Sequence, residues 1–245
     1  MNPPKNVFIG LPVYGGYHPH FVHSLIPLLM EPPCSLKIGP CVGDSLVARA
    51  RNKIVADFLA TDCTHLLFLD TDLIFSVQAI ARLLSHDVAI VGGLYPKKQR
   101  ELAWVCNMLP ESKPDAQGLQ RVKYIGTGAM LIRRDVIELM IRRHPEIAYE
   151  TDRGQQQRIE HDIFPCAPMF DPEHGNTRYH SEDWGFCRRA LNLGIDVHAD
   201  TCVVMKHVGD CIYPLDDPFE LRSWDMPDAP AFDTPSEPKM LCHEH

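Results

Sequence analysis

An apolar segment that ends in two closely spaced aspartates constrains this sequence more than any other feature. The segment 65–69 has the sequence His-Leu-Leu-Phe-Leu and is followed directly by Asp70, Thr71 and Asp72. A short apolar run of this kind predicts a buried strand, and open α/β folds gather their ligands at the carboxyl ends of such strands. Carboxylate oxygens at that edge suit a hard divalent cation. The segment therefore predicts an α/β sheet with a cation-binding edge.

Length and charge limit the classes of protein to which the chain can belong. With 245 residues, 45% of them hydrophobic, the chain is long enough to bury one sizeable core. The segment 210–245 contains nine acidic and two basic residues and so carries −7 of the total charge of −8. No basic patch stands out, which argues against nucleic acid as a partner. We predict one domain over 1–209 and an acidic, proline-rich tail over 210–245.

Signals for membranes, secretion and disulfides are missing from the sequence. No apolar run approaches the roughly 18 residues that a membrane span requires, so no transmembrane segment is expected. The first residues, Met-Asn-Pro-Pro-Lys, lack the basic-then-apolar order of a secretory signal. Nine cysteines are scattered without a Cys-x-x-Cys pair, which predicts neither a disulfide framework nor a thiolate zinc site. We expect a soluble, cytoplasmic protein with reduced thiols.

Strand-like and helix-like segments alternate along the chain. This alternation predicts a mostly parallel central sheet flanked by helices, the Rossmann-like α/β class. Strands are predicted over 7–12, 36–42, 65–69, 88–91, 122–125, 197–199 and 203–207, with Gly92 and Gly93 closing the fourth. Helices are predicted over 21–30, 46–59, 77–84, 133–144 and 182–192. The segment 145–180 has no convincing periodicity, and we predict a long loop there that forms the variable wall of a binding site.

Four short blocks occur in a characteristic order. They are Leu-Pro-Val-Tyr-Gly at 11–15, Ala-Arg-Asn at 50–52, Asp-Thr-Asp at 70–72 and Ser-Glu-Asp-Trp at 181–184. On these blocks the chain resembles the nucleotide-sugar glycosyltransferases of the GT-A fold, especially the family-2-like enzymes of bacteria and viruses. The resemblance implies a single GT-A domain that transfers a sugar, with inversion, from a nucleotide-diphosphate donor to a hydroxyl of a glycan, lipid or protein acceptor.

The resemblance also implies a metal site. Asp72 would be a direct ligand of Mn²⁺ or Mg²⁺, Asp70 would contact the ribose or a bound water, and His207 would be a further metal ligand. A divalent cation at the diphosphate offsets the negative charge that develops on the departing nucleotide. For His207 the alternative is a histidine at the edge of the core that is hydrogen-bonded to the backbone.

The block at 181–184 supplies the candidate catalytic groups. The resemblance makes Asp183 the base that takes the proton of the acceptor hydroxyl, and Glu182 a neighbour that orients the acceptor. Trp184 is a candidate for stacking on a sugar ring. The alternatives are acidic residues favoured by the helix dipole in a first turn, and a tryptophan of the core.

Further residues are candidates for the nucleotide and sugar sites. The nucleotide-binding candidates are Pro12, Tyr14, Asp44, Arg51, Asn52, Thr71 and Lys97. The acceptor or donor-sugar candidates, beside Trp184, are Gly126, Thr127 and Gly128. Ordinary structural roles compete with several of them: helix capping for Asp44, a solvated surface for Arg51, Asn52 and Lys97, and a tight turn for the segment 126–130.

Two other functions are compatible with parts of the sequence. A phosphatase resembling the haloacid-dehalogenase superfamily would use Asp70, the first aspartate after the strand, as its nucleophile. Against it, that signature expects a Thr or Val soon after the second aspartate, and Leu73-Ile74 follow here. A catalytically silent module that binds nucleotide-sugar without turnover is the second alternative.

Overall fold

The fold was analysed on a computed structural model that describes residues 5–151, 158–171 and 175–214. These ranges all belong to one compact unit of the chain, which runs from residue 1 to 215. The predicted acidic tail over 210–245 lies outside the described residues except for its first five positions. The boundary at 209 therefore stays a prediction.

Strands and helices alternate along the described ranges. The strands are β1 (Asn6–Val13), β2 (Ser35–Val42), β3 (His65–Leu69), β4 (Leu73–Ile74), β5 (Ile90–Leu94), β6 (Cys106–Met108), β7 (Leu119–Ile125), β8 (Ala129–Arg133), β9 (Ala148–Thr151), β10 (Arg158–His161), β11 (Ala167–Asp171), β12 (Asn176–His180), β13 (Val197–Val204), β14 (Lys206–Val208) and β15 (Ile212–Tyr213). The helices are α1 (Pro19–Met30), α2 (Val47–Leu59), α3 (Val77–Ser85), α4 (Arg134–Arg143) and α5 (Glu182–Asn192), with a short 3₁₀ turn at Pro145–Ile147.

An eight-stranded sheet forms the centre of the molecule, in the order β2-β1-β3-β8-β5-β13-β7-β6. Strand β1 is parallel to β2 and β3, and β13 is parallel to β5. Strand β8 runs antiparallel between β3 and β5, and β7 runs antiparallel between β13 and β6. Six strands therefore share one direction and two oppose it. The predicted α/β class with a mostly parallel central sheet is confirmed.

Helices cover both faces of this sheet. Buried side chains of α2, α4 and α5 belong to one hydrophobic cluster, and those of α1 and α3 belong to another. Strand β3 lies between the two clusters, and its five residues are all buried. Because both faces of β3 pack against apolar clusters, its sequence is a continuous apolar run and does not alternate between apolar and polar residues.

Two sequence predictions about the fold are wrong, and one central strand was missed. Gly92 and Gly93 do not close a strand but lie inside β5, where a Cβ on either would come within 2.8 Å of Ile125 Cδ1 or Val203 Cγ1. Strand β8 was not predicted at all. The segment 145–180 is not one long loop, because it contains the antiparallel pairs β9–β10 and β11–β12.

Within the described ranges, none of the five helices has the length and apolarity that a bilayer crossing requires.

Candidate functional site

A groove lies where β1 and β3 end at the carboxyl edge of the sheet. Its volume is about 520 Å³, and it is formed by the loop after β1, the residues before α2 and the residues after β3. Thr71 joins two of these segments, because its carbonyl oxygen accepts from His18 N (3.1 Å) and its hydroxyl donates to Gly16 O (3.2 Å). Six of the predicted site residues line the groove: Pro12, Tyr14, Asp44, Asp70, Thr71 and Asp72.

Asp72 and His207 are brought together by a short antiparallel pairing. Strand β14 pairs with β4, with His207 opposite Leu73, and Val208 N donates to Asp72 O (2.8 Å). As a result His207 Nε2 lies 3.5 Å from Asp72 Oδ1. The sequence separates these residues widely, and the backbone pairing is what makes them neighbours.

Asp72 and His207 are residue types that bind divalent cations, but no group of three or more His, Cys, Asp or Glu residues in the described part of the chain is arranged to hold a metal ion. His207 Nδ1 lies 2.9 Å from Pro96 O, and a carbonyl can only accept, so Nδ1 carries a proton. In the neutral imidazole, Nε2 then has a lone pair that can coordinate a cation. Asp72 Oδ1 is buried and has no hydrogen-bond partner among the described residues. If a cation were bound here, Asp72 Oδ1 and His207 Nε2 would be the atoms that hold it. A carboxylate oxygen and an imidazole nitrogen are suitable ligands for Mn²⁺.

The second oxygen of Asp72 is engaged by a lysine. Lys98 Nζ donates to Asp72 Oδ2 at 2.6 Å. Burial raises the pKa of Asp72, but the ammonium group of Lys98 and, in its protonated form, the imidazole of His207 outweigh burial and lower that pKa to about 2. The carboxylate is therefore ionised at neutral pH.

Asp70 is held by a buried arginine. Arg51 NH2 donates to both oxygens of Asp70, at 2.9 and 3.1 Å, and the Arg51 side chain is only 2% exposed. Arg51 Nε also lies 3.6 Å from Glu182 Oε1. Burial lowers the pKa of Arg51, but Asp70 and Glu182 outweigh this and raise it, so the guanidinium stays charged. Arg51 thus connects the block after β3 with the start of α5.

The two acidic residues at the start of α5 have different surroundings. Glu182 is mostly buried beside Arg51, and Thr127 Oγ1 lies 3.5 Å from its Oε1. Burial raises the pKa of Glu182, although Arg51 opposes that shift. Asp183 Oδ1 accepts from Ser181 Oγ and from Trp184 N (2.8 Å). In the described part of the chain, the hydrogen bonds of Asp183 all fall on Oδ1, and neither Asp183 nor Glu182 is among the residues that line the groove.

The position of the Tyr95 side chain explains why residues 126 and 128 are glycines. Gly128 N donates to Tyr95 Oη (3.0 Å), and the Tyr95 ring packs edge-on against His207, with 5.3 Å between ring centroids. A Cβ on Gly126 would lie 2.1 Å from Tyr95 Oη, and a Cβ on Gly128 would lie 2.7 Å from it. Both glycines are therefore required by a protein side chain, which accounts for them without a bound sugar.

Several predicted site residues have structural contacts and do not line the groove. Asn52 is buried; its Nδ2 donates to Asp162 Oδ1 (3.1 Å) and its Oδ1 accepts from Phe164 N (3.0 Å). Trp184 is stacked on Tyr124, with ring centroids 4.7 Å apart. The solvated surface considered for Arg51 and Asn52 is wrong, because both are buried in α2.

Asp44 lines the groove but is also part of an ion-pair cluster. Its Oδ1 accepts from Leu46 N (3.1 Å), and its carboxylate binds Arg49 NH2 (2.8 Å) and Lys53 Nζ. The hydrogen bond from Arg49 is the main reason why the pKa of Asp44 lies well below its usual range, with Lys53 adding to it against the effect of burial. Asp44 therefore fixes the start of α2 while facing the groove.

Two residues of the site were not found from the sequence. Lys98, rather than the predicted Lys97, reaches Asp72, and Lys97 is exposed. Tyr95 was not singled out, although it follows the apolar strand β5 directly. The sequence contains no signal that singles out Lys98 or Tyr95. Which of two adjacent lysines faces the site depends on the direction in which the loop turns, and the sequence does not show that direction.

A second cavity of about 580 Å³ lies elsewhere and is lined by residues such as Lys5, Cys34 and Leu84. It lies near the amino ends of β1 and β2. It contains none of the predicted site residues. The groove, which has the smaller volume, is the candidate site because it is lined by Asp44, Asp70 and Asp72.

The comparisons with known proteins identify the fold. No protein-family model matches the chain, and no curated protein matches it. Among solved structures, A197 from STIV is similar at 17% identity and a TM-score of 0.52, covering 84% of this chain and 86% of that one. The structure of GalNAc-T7 with UDP, GalNAc and Mn²⁺ is similar at 10% identity and a TM-score of 0.52, covering 84% of this chain.

The chain has a GT-A-like fold. It spans 43% of the GalNAc-T7 chain, so it corresponds to less than half of that protein. At these identities the likeness shows the fold alone, and the carboxyl-edge position of the groove is what one expects of such an α/β sheet.

Proposed function

We propose that this chain is a glycosyltransferase that moves a sugar from a nucleotide-diphosphate donor to a hydroxyl acceptor with the help of Mn²⁺ or Mg²⁺. The observation that carries the proposal is the pairing of Asp72 Oδ1 with His207 Nε2 at the edge of the groove. An ionised carboxylate and a correctly oriented imidazole lie where the fold gathers its ligands.

The groove has the size and lining for a nucleotide. Its volume of about 520 Å³ lies within the range of small-molecule sites. Tyr14 is 73% exposed and offers a ring face to a base. Asp44 lines the groove, but its carboxylate is engaged by Arg49 and Lys53. When bound at Asp72 and His207, the cation offsets the charge on the departing diphosphate. Asp70, held by Arg51, is positioned for a ribose hydroxyl or a bound water.

Asp183 is the proposed base. It accepts the proton of the acceptor hydroxyl, whose oxygen bonds to the anomeric carbon of the donor sugar as the bond from that carbon to the diphosphate oxygen breaks. The electron pair of the broken bond leaves with the diphosphate. Glu182 is less suited to this role because its carboxylate lies beside the buried Arg51, so it is assigned to orienting the acceptor side. A direct displacement of this kind inverts the anomeric configuration.

The phosphatase alternative is less well supported. Its nucleophile would be Asp70, and both oxygens of Asp70 accept hydrogen bonds from the buried Arg51 NH2. A carboxylate neutralised in this way is a weak nucleophile. The silent binding module remains as an outcome of the experiment.

The test is a thermal-shift panel of nucleoside diphosphates and nucleotide-sugars, with and without Mn²⁺, followed by an assay of donor hydrolysis. A ligand at 100 times its Kd stabilises the folded state by about 2.7 kcal/mol. We expect a Mn²⁺-dependent shift in the wild type that Asp72→Asn abolishes.

The matched control is Asp62→Asn. Asp62 precedes β3 at the opposite end of the sheet, and its side chain is 78% exposed, so the shift should be retained. Equal shifts in wild type and Asp72→Asn would refute the donor site. Binding without any hydrolysis or transfer across acceptors would leave the binding module in its place.

A further inference from the structure

The two oxygens of Asp72 have different partners, and one of these partners is a cation of the protein itself. Oδ1 faces His207 Nε2 at 3.5 Å, whereas Oδ2 accepts from Lys98 Nζ at 2.6 Å. The Lys98 and Asp72 side chains are 39% and 35% exposed, so the pair lies at the mouth of the site and not in the core. In the protein without ligands, Lys98 therefore supplies a positive charge to the carboxylate on which the metal site depends.

The fold directs Lys98 to this position. The loop after β5 is held by a bridge between Pro96 and Trp104 and by the hydrogen bond from Lys97 N to Ala103 O (2.7 Å). The Lys98 stem then crosses Gly209, where an added Cβ would lie 3.0 Å from Lys98 Cδ. The absence of a side chain at 209 thus leaves room for the lysine to reach Asp72.

Lys98 and a divalent cation would compete for the carboxylate of Asp72. Two cations that share one carboxylate repel each other, and the ion pair must be weakened before Asp72 can give its charge to a metal. A diphosphate changes this balance because its oxygens can accept the ammonium group. The lysine side chain has a flexible four-carbon stem and a compact charge, so it can exchange one anionic partner for another nearby.

We propose that Lys98 makes metal binding depend on the donor. In the free protein it pairs with Asp72 and weakens the cation site; when a nucleotide diphosphate enters the groove, Lys98 transfers to the diphosphate oxygens and releases Asp72 to the cation. The inference rests on the proposed function, since it requires a diphosphate in the groove. It adds a regulatory role for a residue outside the four sequence blocks.

Thermodynamic linkage gives the proposal a measurable form. If the diphosphate raises the affinity for Mn²⁺ by some factor, Mn²⁺ raises the affinity for the diphosphate by the same factor. Removal of Lys98 should increase the affinity for Mn²⁺ alone and reduce that factor. A lysine that merely stabilised the loop would change neither quantity in this direction.

The experiment is a titration of Mn²⁺, with free Mn²⁺ followed by electron paramagnetic resonance, in the absence and presence of the nucleoside diphosphate that gives the largest thermal shift. For Lys98→Met we expect at least tenfold tighter binding of Mn²⁺ alone and at least a fivefold smaller coupling factor. Lys98→Gln, measured beside it, should behave in the same way, and Lys98→Arg should keep the coupling. Lys97→Met removes the same charge from the neighbouring exposed residue and should leave the Mn²⁺ affinity within twofold of wild type.

Three results separate the possible failures. If Lys98→Met and Lys98→Gln bind Mn²⁺ no more tightly than wild type, the inference is refuted while the proposed function stands. If Lys97→Met tightens Mn²⁺ binding as much as Lys98→Met, the effect is one of general charge and the specific role of Lys98 is refuted. If the wild type binds neither Mn²⁺ nor any nucleoside diphosphate, the proposed function and the inference both fall.

Discussion

Replacing Asp70 by asparagine should destabilise the protein as well as disturb the site. Asp70 is the counter-ion of Arg51, whose side chain is 2% exposed and lies with its guanidinium carbon 5.1 Å from the centre of the Phe68 ring. The Asp70→Asn substitution keeps the shape of the carboxylate but removes its charge. Among the described residues, the guanidinium would then retain Glu182, at 3.6 Å, as its one charged partner.

The size of the effect follows from this geometry. Removing one partner of a buried ion pair costs about 3–5 kcal/mol because it leaves the other charge uncompensated. Glu182 still compensates part of the charge of Arg51, so we expect a loss near the lower limit, about 3 kcal/mol. For a chain of this length, 1 kcal/mol corresponds to about 2–4 °C in Tm, so Asp70→Asn should lower the Tm by about 6–12 °C.

The assay is thermal unfolding followed by circular dichroism, with urea unfolding as a second measure. Arg51→Met should cost less than Asp70→Asn, because Asp70 is 28% exposed and water can solvate it. The double variant should be close to Arg51→Met alone, so the coupling energy should equal the cost of Asp70→Asn, about 3 kcal/mol. Asp62→Asn, which breaks the exposed pair with Lys37, should leave the Tm unchanged.

An Asp70→Asn protein that melts within 1 °C of wild type would refute the assignment of Asp70 as the counter-ion of Arg51. If the prediction holds, loss of activity in Asp70 variants cannot be taken as evidence of contact with the metal or the ribose. Such contact would need to be measured as ligand binding by a protein shown to be folded. Asp72, which has no comparable buried partner, is the cleaner position for testing the metal site.

Two further predictions concern stability. Burial, with Lys5 and Arg133 adding to it, lowers the pKa of His65 to about 4 from the usual 6.5, so below pH 6.5 the unfolded chain binds a proton that the folded chain refuses. Acidification from pH 7 to pH 4 should therefore reduce the free energy of unfolding of the wild type by about 3 kcal/mol more than that of His65→Gln. Urea unfolding at both pH values measures the two losses, and equal losses would contradict the prediction. Gly126→Ala should cost about 1–3 kcal/mol by overlap with Tyr95 Oη and Val105 Cγ1, and less in a Tyr95→Phe background, which removes Oη; the same cost in both backgrounds would show that Tyr95 Oη is not the obstacle.

The parts of the fold that could be predicted are those with local signals. Helix α5 begins and ends where the sequence indicates, at Glu182 and Asn192, because acidic residues favour a first turn and Gly194 adopts a positive φ of 76° after the last turn. Strand β3 was equally clear, since a short, mostly apolar run between polar neighbours predicts a buried strand.

The elements that were missed depend on partners distant in sequence. Strand β8 is a short buried run directly joined to α4, and it becomes a strand because β3 and β5 offer hydrogen bonds on either side of it. In the β11–β12 hairpin, Phe170 and Tyr179 are more than 60% exposed, so the apolar-inside alternation that marks a strand is lost. Antiparallel ribbons of this kind have no periodic signal from a core.

In the site, too, features with a local sequence signal could be predicted and features that depend on distant contacts could not. Residue types at the strand ends could be predicted, and the structure places Asp70, Asp72 and Asp44 at one groove. The pairing of Arg51 with Asp70 and the choice of Lys98 over Lys97 could not be predicted, because each depends on side-chain directions set by packing. Periodicity placed Arg51 on a helix face but gave no indication that the face was covered.

The pairing of β4 with β14 has a consequence for how the protein is made. Asp72 acquires its neighbour His207 only through a strand near the end of the described chain, and Val208 N donates to the Asp72 carbonyl in the same ladder. During synthesis, which runs from the amino terminus, the sheet around β1 and β3 can assemble while residue 207 has yet to be translated. A nascent chain therefore cannot bring Asp72 and His207 together until almost the whole domain has left the ribosome, and shortened products that end before residue 206 lack this pair.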